Sequence, residues 1–122
     1  MTEKIPLVLL PAFMSTRALW EPQINALADI AEITVVELTP YDSVVKMADA
    51  VLDRAPERFA LAGLSLGAFA AFDILRRAPE RIMRLALIST SARADAPERL
   101  AARKKQIEAV RAGRFEEVVE GF

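Results

Sequence analysis

Short, nearly continuous apolar runs alternate along this chain with longer stretches whose apolar positions recur every three or four residues, and prolines and glycines mark the borders. Ile5 to Leu10 predicts a strand covered on both faces, ended by Pro11. Trp20, Ile24, Leu27 and Ala28 then fall at helical spacing, and Pro22 suits a first helical turn, so a helix is expected from Pro22 to Asp29. The β-branched run Ile33 to Leu38 predicts a second strand closed by Thr39-Pro40. Ser43 makes an N-cap for a helix through Ala55, whose apolar positions are Val44, Val45, Ala48, Val51 and Leu52. Phe59 to Leu64 is the third strand. Leu66 to Arg77 is a helix apolar nearly all round, with Phe69, Phe72, Ile74 and Leu75 on its faces, and such a helix must be largely buried. Leu85 to Ile88 is the fourth strand, and Pro97 to Phe122 reads as a long helix and a short one broken near Gly113. Strands alternating with helices predict βαβ units, hence an α/β three-layer sandwich around a parallel sheet.

A chain of 122 residues suits one domain, taken here as residues 1–122. Its 53% hydrophobic share implies elements buried on more than one side, with some apolar surface left for an interface. Sixteen Lys and Arg against seventeen Asp and Glu leave a net charge of −1, so no broad field attracts nucleic acid or an acidic membrane. Cysteine and histidine are both absent, which removes disulfides, thiolate chemistry and the usual zinc and general-base constellations. Neither metal nor organic cofactor is expected. The segment Met1 to Leu10 is too short in its apolar part for a secretory leader or a membrane span, so a cytoplasmic location is the expectation.

The chemistry concentrates at Gly63-Leu64-Ser65-Leu66-Gly67, a G-x-S-x-G pattern joining a predicted strand to a predicted helix. A tight turn at the serine brings the residues two before and two after it into close contact, so glycines are needed there. Ser65 would project its hydroxyl at the carboxyl end of the sheet, and the Leu66 N–H, at a helix start, would face a developing oxyanion. The bland alternative is that Ser65 merely caps a buried helix. A dinucleotide site is excluded, because Pro11-Ala12-Phe13-Met14-Ser15 stands where glycines would follow the first strand. Arg99, Arg103, Lys104 and Lys105 read as a solvated helix face, and Met14 and Trp20 read as core rather than pocket lining.

With Leu9-Leu10-Pro11-Ala12-Phe13, Trp20-Glu21-Pro22-Gln23 and Phe59 to Gly67, the sequence resembles the α/β-hydrolase superfamily, especially small bacterial esterase-like members. That resemblance implies a four-stranded parallel sheet in the order second, first, third, fourth. It implies Ser65 as nucleophile and the N–H groups of Phe13 and Leu66 as oxyanion donors, with Ala12 standing where the family usually has glycine. Asp95 stands where some members place their acid. Residues 1–95 would form the βα core and 96–122 a helical, lid-like tail. The later half of the family's fold, which brings the acid and then the histidine, is absent from these residues, so the reading is of a truncated domain. Loss of a triad member costs about a thousandfold or more in rate.

Three functions remain open on this reading: a serine hydrolase of esterase or thioesterase type acting on small acyl substrates, a non-catalytic ligand-binding or assembly module, and one half of a split hydrolase completed by another chain. A bare fourth-strand edge and an apolar stripe of Phe115, Val118, Val119 and Phe122 predict a homo-oligomer, with a dimer expected.

Overall fold

Four strands are laid down in chain order as β1 (Ile5–Leu10), β2 (Ala31–Val35), β3 (Phe59–Leu64) and β4 (Ile82–Ile88). The computed structural model describes residues 3–122; Met1 and Thr2, the start of the segment read above for a leader, lie outside them. The chain divides into two compact units, Met1–Thr90 and Ser91–Phe122.

In the first unit all strands pair in parallel, in the order β2-β1-β3-β4, as expected. Neighbouring side chains of β1 point to opposite faces, and both faces are covered. Val8 and Leu10 join a core with Leu61 and Phe59 of β3, Met47, Ala48 and Val51 of helix α2 (Val44–Arg54), and Ala70, Ala71 and Ile74 of helix α3 (Leu66–Arg77). Leu7 and Leu9 face the other way, into a smaller cluster with Trp20 and with Ile24 of helix α1 (Glu21–Leu27). Burial of each large aliphatic side chain contributes roughly 1.5–3 kcal/mol, so the first cluster dominates this unit's stability.

Several expected borders move. The second strand starts at Ala31 and ends at Val35, not at Ile33 and Leu38, because its ladder is set by β1: Ile5 pairs with Ala31 and Leu9 with Val35. Val36 and Leu38 lie beyond it yet are buried. The fourth strand begins at Ile82 rather than Leu85, drawn into register by Phe59, with an irregularity between Phe59 and Ala60. In α3 the fully covered residues are the small ones, Gly67, Ala68, Ala70 and Ala71, together with Ile74; Phe69 and Phe72 are only half-buried and Leu75 is exposed. Close approach of the helix to the sheet favours alanine on the contact face. Met14, expected in the core, is exposed, whereas Trp20 is buried.

The loop into β3 is held by Arg81, which donates to the carbonyls of Glu57 at 3.0 Å, Pro56 at 2.9 Å and Ala55 at 3.2 Å. Its guanidinium also lies 5.6 Å from the ring centre of Phe59. Leu85, Leu87 and Ile88 of β4 are exposed.

The second unit consists of α4 (Pro97–Arg111) and α5 (Phe115–Glu120). The break falls at Gly113, whose φ is +81°; the Gly113 N–H donates to the Val110 carbonyl at 3.0 Å and the Arg114 N–H to the Ala109 carbonyl at 2.8 Å. This paired arrangement ends a helix on a left-handed residue, which explains the glycine. Phe115, Val119 and Phe122 are exposed. Among the described residues no helix is long and apolar enough to cross a membrane.

Candidate functional site

Between β3 and α3 the chain turns on one residue. Ser65 has φ +54° and ψ −109°, outside the regions that non-glycine residues ordinarily occupy. Its side chain makes no capping hydrogen bond, so the plain N-cap reading does not describe it. Ser43 shows the contrast: it has extended backbone angles and its Oγ accepts from the Lys46 N–H at 3.2 Å.

The two glycines are explained by contact. A Cβ on Gly63 would lie 2.5 Å from the Gly67 carbonyl oxygen, and one on Gly67 would press into the carbonyl of Leu10 and lie 2.8 Å from Leu10 Cβ. Gly67 thus seats the start of α3 directly against the end of β1. Ser65 is held on both sides of its own peptide units. Its N–H donates to the carbonyl of Ile88, the last residue of β4, at 2.9 Å, and its carbonyl accepts from the Ala68 N–H at 2.9 Å. The Leu66 N–H stands in the first turn of α3, where no carbonyl within the helix can accept it, at the positive end of the helix dipole.

Phe13 lies in the turn that follows β1. The Ser15 N–H donates to the Ala12 carbonyl at 3.2 Å and the Ser15 hydroxyl to the Phe13 carbonyl at 3.2 Å. Asp95 belongs to the second unit, where its carboxylate accepts from Arg103 Nε at 2.6 Å; Arg103 is therefore engaged rather than one of a purely solvated row.

Sequence reading missed two positions of the same kind. Met14 has φ +53° and Ser89 has φ +52°, and with Ser65 these are the left-handed non-glycine residues among those described. They follow the carboxyl ends of β1, β4 and β3 respectively, the edge of a parallel sheet where ligands bind in open α/β folds. Neither methionine nor serine signals a left-handed conformation, so no local pattern announces them.

At its far end α3 is joined to α2 by a cluster of ion pairs. Arg77 bonds Asp49 of α2 at 2.5 Å and Asp73 at 3.2 Å, while Arg76 bonds Asp73 at 2.5 Å. The Arg76 guanidinium, against partial burial and helped by Arg77, holds the Asp73 carboxyl below its usual range, and Asp49 followed by Asp73 pushes Arg77 up. Among the described residues no three Asp, Glu, His or Cys side chains gather as metal ligands would.

No family model matches the sequence. A pimeloyl-[acyl-carrier protein] methyl ester esterase of Vibrio campbellii is 32% identical over 93 residues, which cover 70% of this chain and 37% of that protein. The protein of the same description from Nitrosomonas europaea is 28% identical over 93 residues, with the same 70% and 37% coverage. Among solved structures, a thermophilic esterase from Thermogutta terrifontis with malate bound superposes with a TM-score of 0.79 and 26% identity, over 97% of this chain and 48% of its own. The chain thus spans well under half the length of the curated relatives it matches. Sequence likeness and strand order agree: the chain belongs to the α/β-hydrolase superfamily.

Proposed function

We propose that this chain carries the nucleophile and oxyanion portion of a serine esterase acting on small carboxylic esters, with methyl esters of acyl chains as the first class to test. The strained backbone at Ser65, between β3 and α3 and without a capping bond, is the observation that supports this reading most directly. The relatives that are methyl ester esterases support the ester class.

In this reading Ser65 Oγ attacks the ester carbonyl carbon as its proton passes to a base. Charge gathers on the carbonyl oxygen, which the N–H groups of Leu66 and Phe13 stabilise. Collapse of the tetrahedral intermediate expels the alcohol, which takes up that proton, and leaves an acyl group on Ser65 that water then releases as the acid. The 122 residues contain no histidine. The base is therefore supplied by polypeptide outside them, and these residues alone react slowly, by about a thousandfold or more relative to a full triad. That missing imidazole also favours a second reading, a module that binds esters without turning them over.

A fluorophosphonate probe followed by intact mass tests the first reading. Slow formation of one adduct on the wild type, absent in Ser65→Ala, is the expected result. Equal labelling of the two proteins, or a wild type that stays unmodified while still binding ester, would remove it.

A further inference from the structure

The segment leaving β4 carries two unfavourable features on consecutive residues. Ser89 adopts φ +52°, and the Thr90 hydroxyl oxygen is buried with no hydrogen-bond partner among the described residues. Ser89 is itself exposed, so packing of its side chain does not explain its conformation. What the two share is their place: they follow Ile88, whose carbonyl receives the Ser65 N–H at 2.9 Å. Leu64 and Ile88 are the last paired residues of β3 and β4, so both strands leave the sheet together, each through a left-handed serine one position later. Strained conformations persist where surrounding structure requires them, and they gather at functional sites.

We propose that Ser89 is a positioning residue for Ser65: its left-handed backbone turns the chain away directly after Ile88 and so keeps the Ile88 carbonyl on the Ser65 amide, which holds the nucleophile's turn in its strained form. This rests on the reading of Ser65 as nucleophile. The role belongs to the backbone of residue 89 and not to its hydroxyl. A residue that tolerates positive φ preserves it, and a β-branched one, which resists that region, does not. When residue 89 relaxes, the peptide between 88 and 89 rotates, the Ser65 amide loses its acceptor, and the Ser65 hydroxyl and Leu66 N–H no longer point at one substrate position.

The test compares wild type, Ser89→Gly, Ser89→Val and the milder Ser89→Thr, with Val51→Ala, in the buried face of α2, as a control for lost stability. Fluorophosphonate labelling of Ser65 is timed well below the melting temperature of each protein. Ser89→Val and Ser89→Thr are expected to label more slowly, by about tenfold or more for valine. Ser89→Gly restores the wild-type rate, and Val51→Ala keeps it. Equal rates for valine and wild type, or a slowing that Val51→Ala shares, overturn the proposal. Amide exchange at Ser65, followed by NMR, separates this idea from the nucleophile reading: a wild type that never labels defeats that reading, while positioning still predicts faster Ser65 exchange in Ser89→Val than in Ser89→Gly. Unchanged protection at Ser65 in all variants ends the positioning proposal.

Discussion

Gly67, the second residue of α3, rests on the carbonyl of Leu10, the last residue of β1, so closely that a Cβ there would overlap it. The contact joins the strand that leads to the Phe13 turn with the helix that directly follows Ser65. The backbone at Gly67 is helical, so the demand for glycine there is one of space and not of conformational freedom.

Gly67→Ala is accordingly expected to lower stability by about 1–3 kcal/mol through overpacking and to shift the Ser65 turn. Urea unfolding would show the loss, with a parallel fall in Ser65 labelling. A midpoint equal to wild type would mean that α3 can slide off β1 without cost.

Ser43 and Ser65 both precede helices, yet only Ser43 caps one. Ser43→Ala should cost about 1 kcal/mol. Ser65→Ala should cost much less, since no capping bond is lost and the backbone strain is the same for alanine as for serine. Thermal unfolding of the two variants side by side would distinguish them, and equal losses would contradict the contrast.

Thr90→Val replaces a buried, unpaired hydroxyl by a methyl group of nearly the same shape. Such a change is expected to be neutral or stabilising, by up to about 1 kcal/mol. A clear drop in the unfolding midpoint would show that the hydroxyl has a partner in solution.

Acid stability tests the cluster at the end of α3. The folded-state pKa of Asp73 is depressed, chiefly by Arg76 and against partial burial. Its contribution is therefore fully present above the ordinary aspartate value, about 3.9, and is lost as pH falls through the lower, folded value. Asp73→Asn should be less stable than wild type at pH 7, and the difference should shrink below about pH 4. Urea midpoints across that range would check it, and a gap that widened toward acid would reverse the assignment.

What the sequence determined by itself were the elements whose signal is local. The run Phe59–Leu64, the glycines at 63 and 67 and the helix from Leu66 could be read because a tight strand-to-helix turn excludes side chains at fixed offsets. The cap at Ser43 and the break at Gly113 are legible for other local reasons, a side-chain oxygen that accepts the Lys46 N–H and a left-handed φ that glycine adopts without strain. Tertiary structure decided the rest. The second strand's limits follow from where β1 can pair, so Val36, whose N–H still reaches the Leu9 carbonyl, and Leu38 are buried beyond the last paired residue. Alanines rather than phenylalanines form the covered face of α3, because the distance between helix and sheet, which periodicity does not encode, selects small residues there. Left-handed backbone at Met14 and Ser89 is likewise invisible in residue type, because neither methionine nor serine favours that region and only the path of the folded chain beyond the strand ends reveals it.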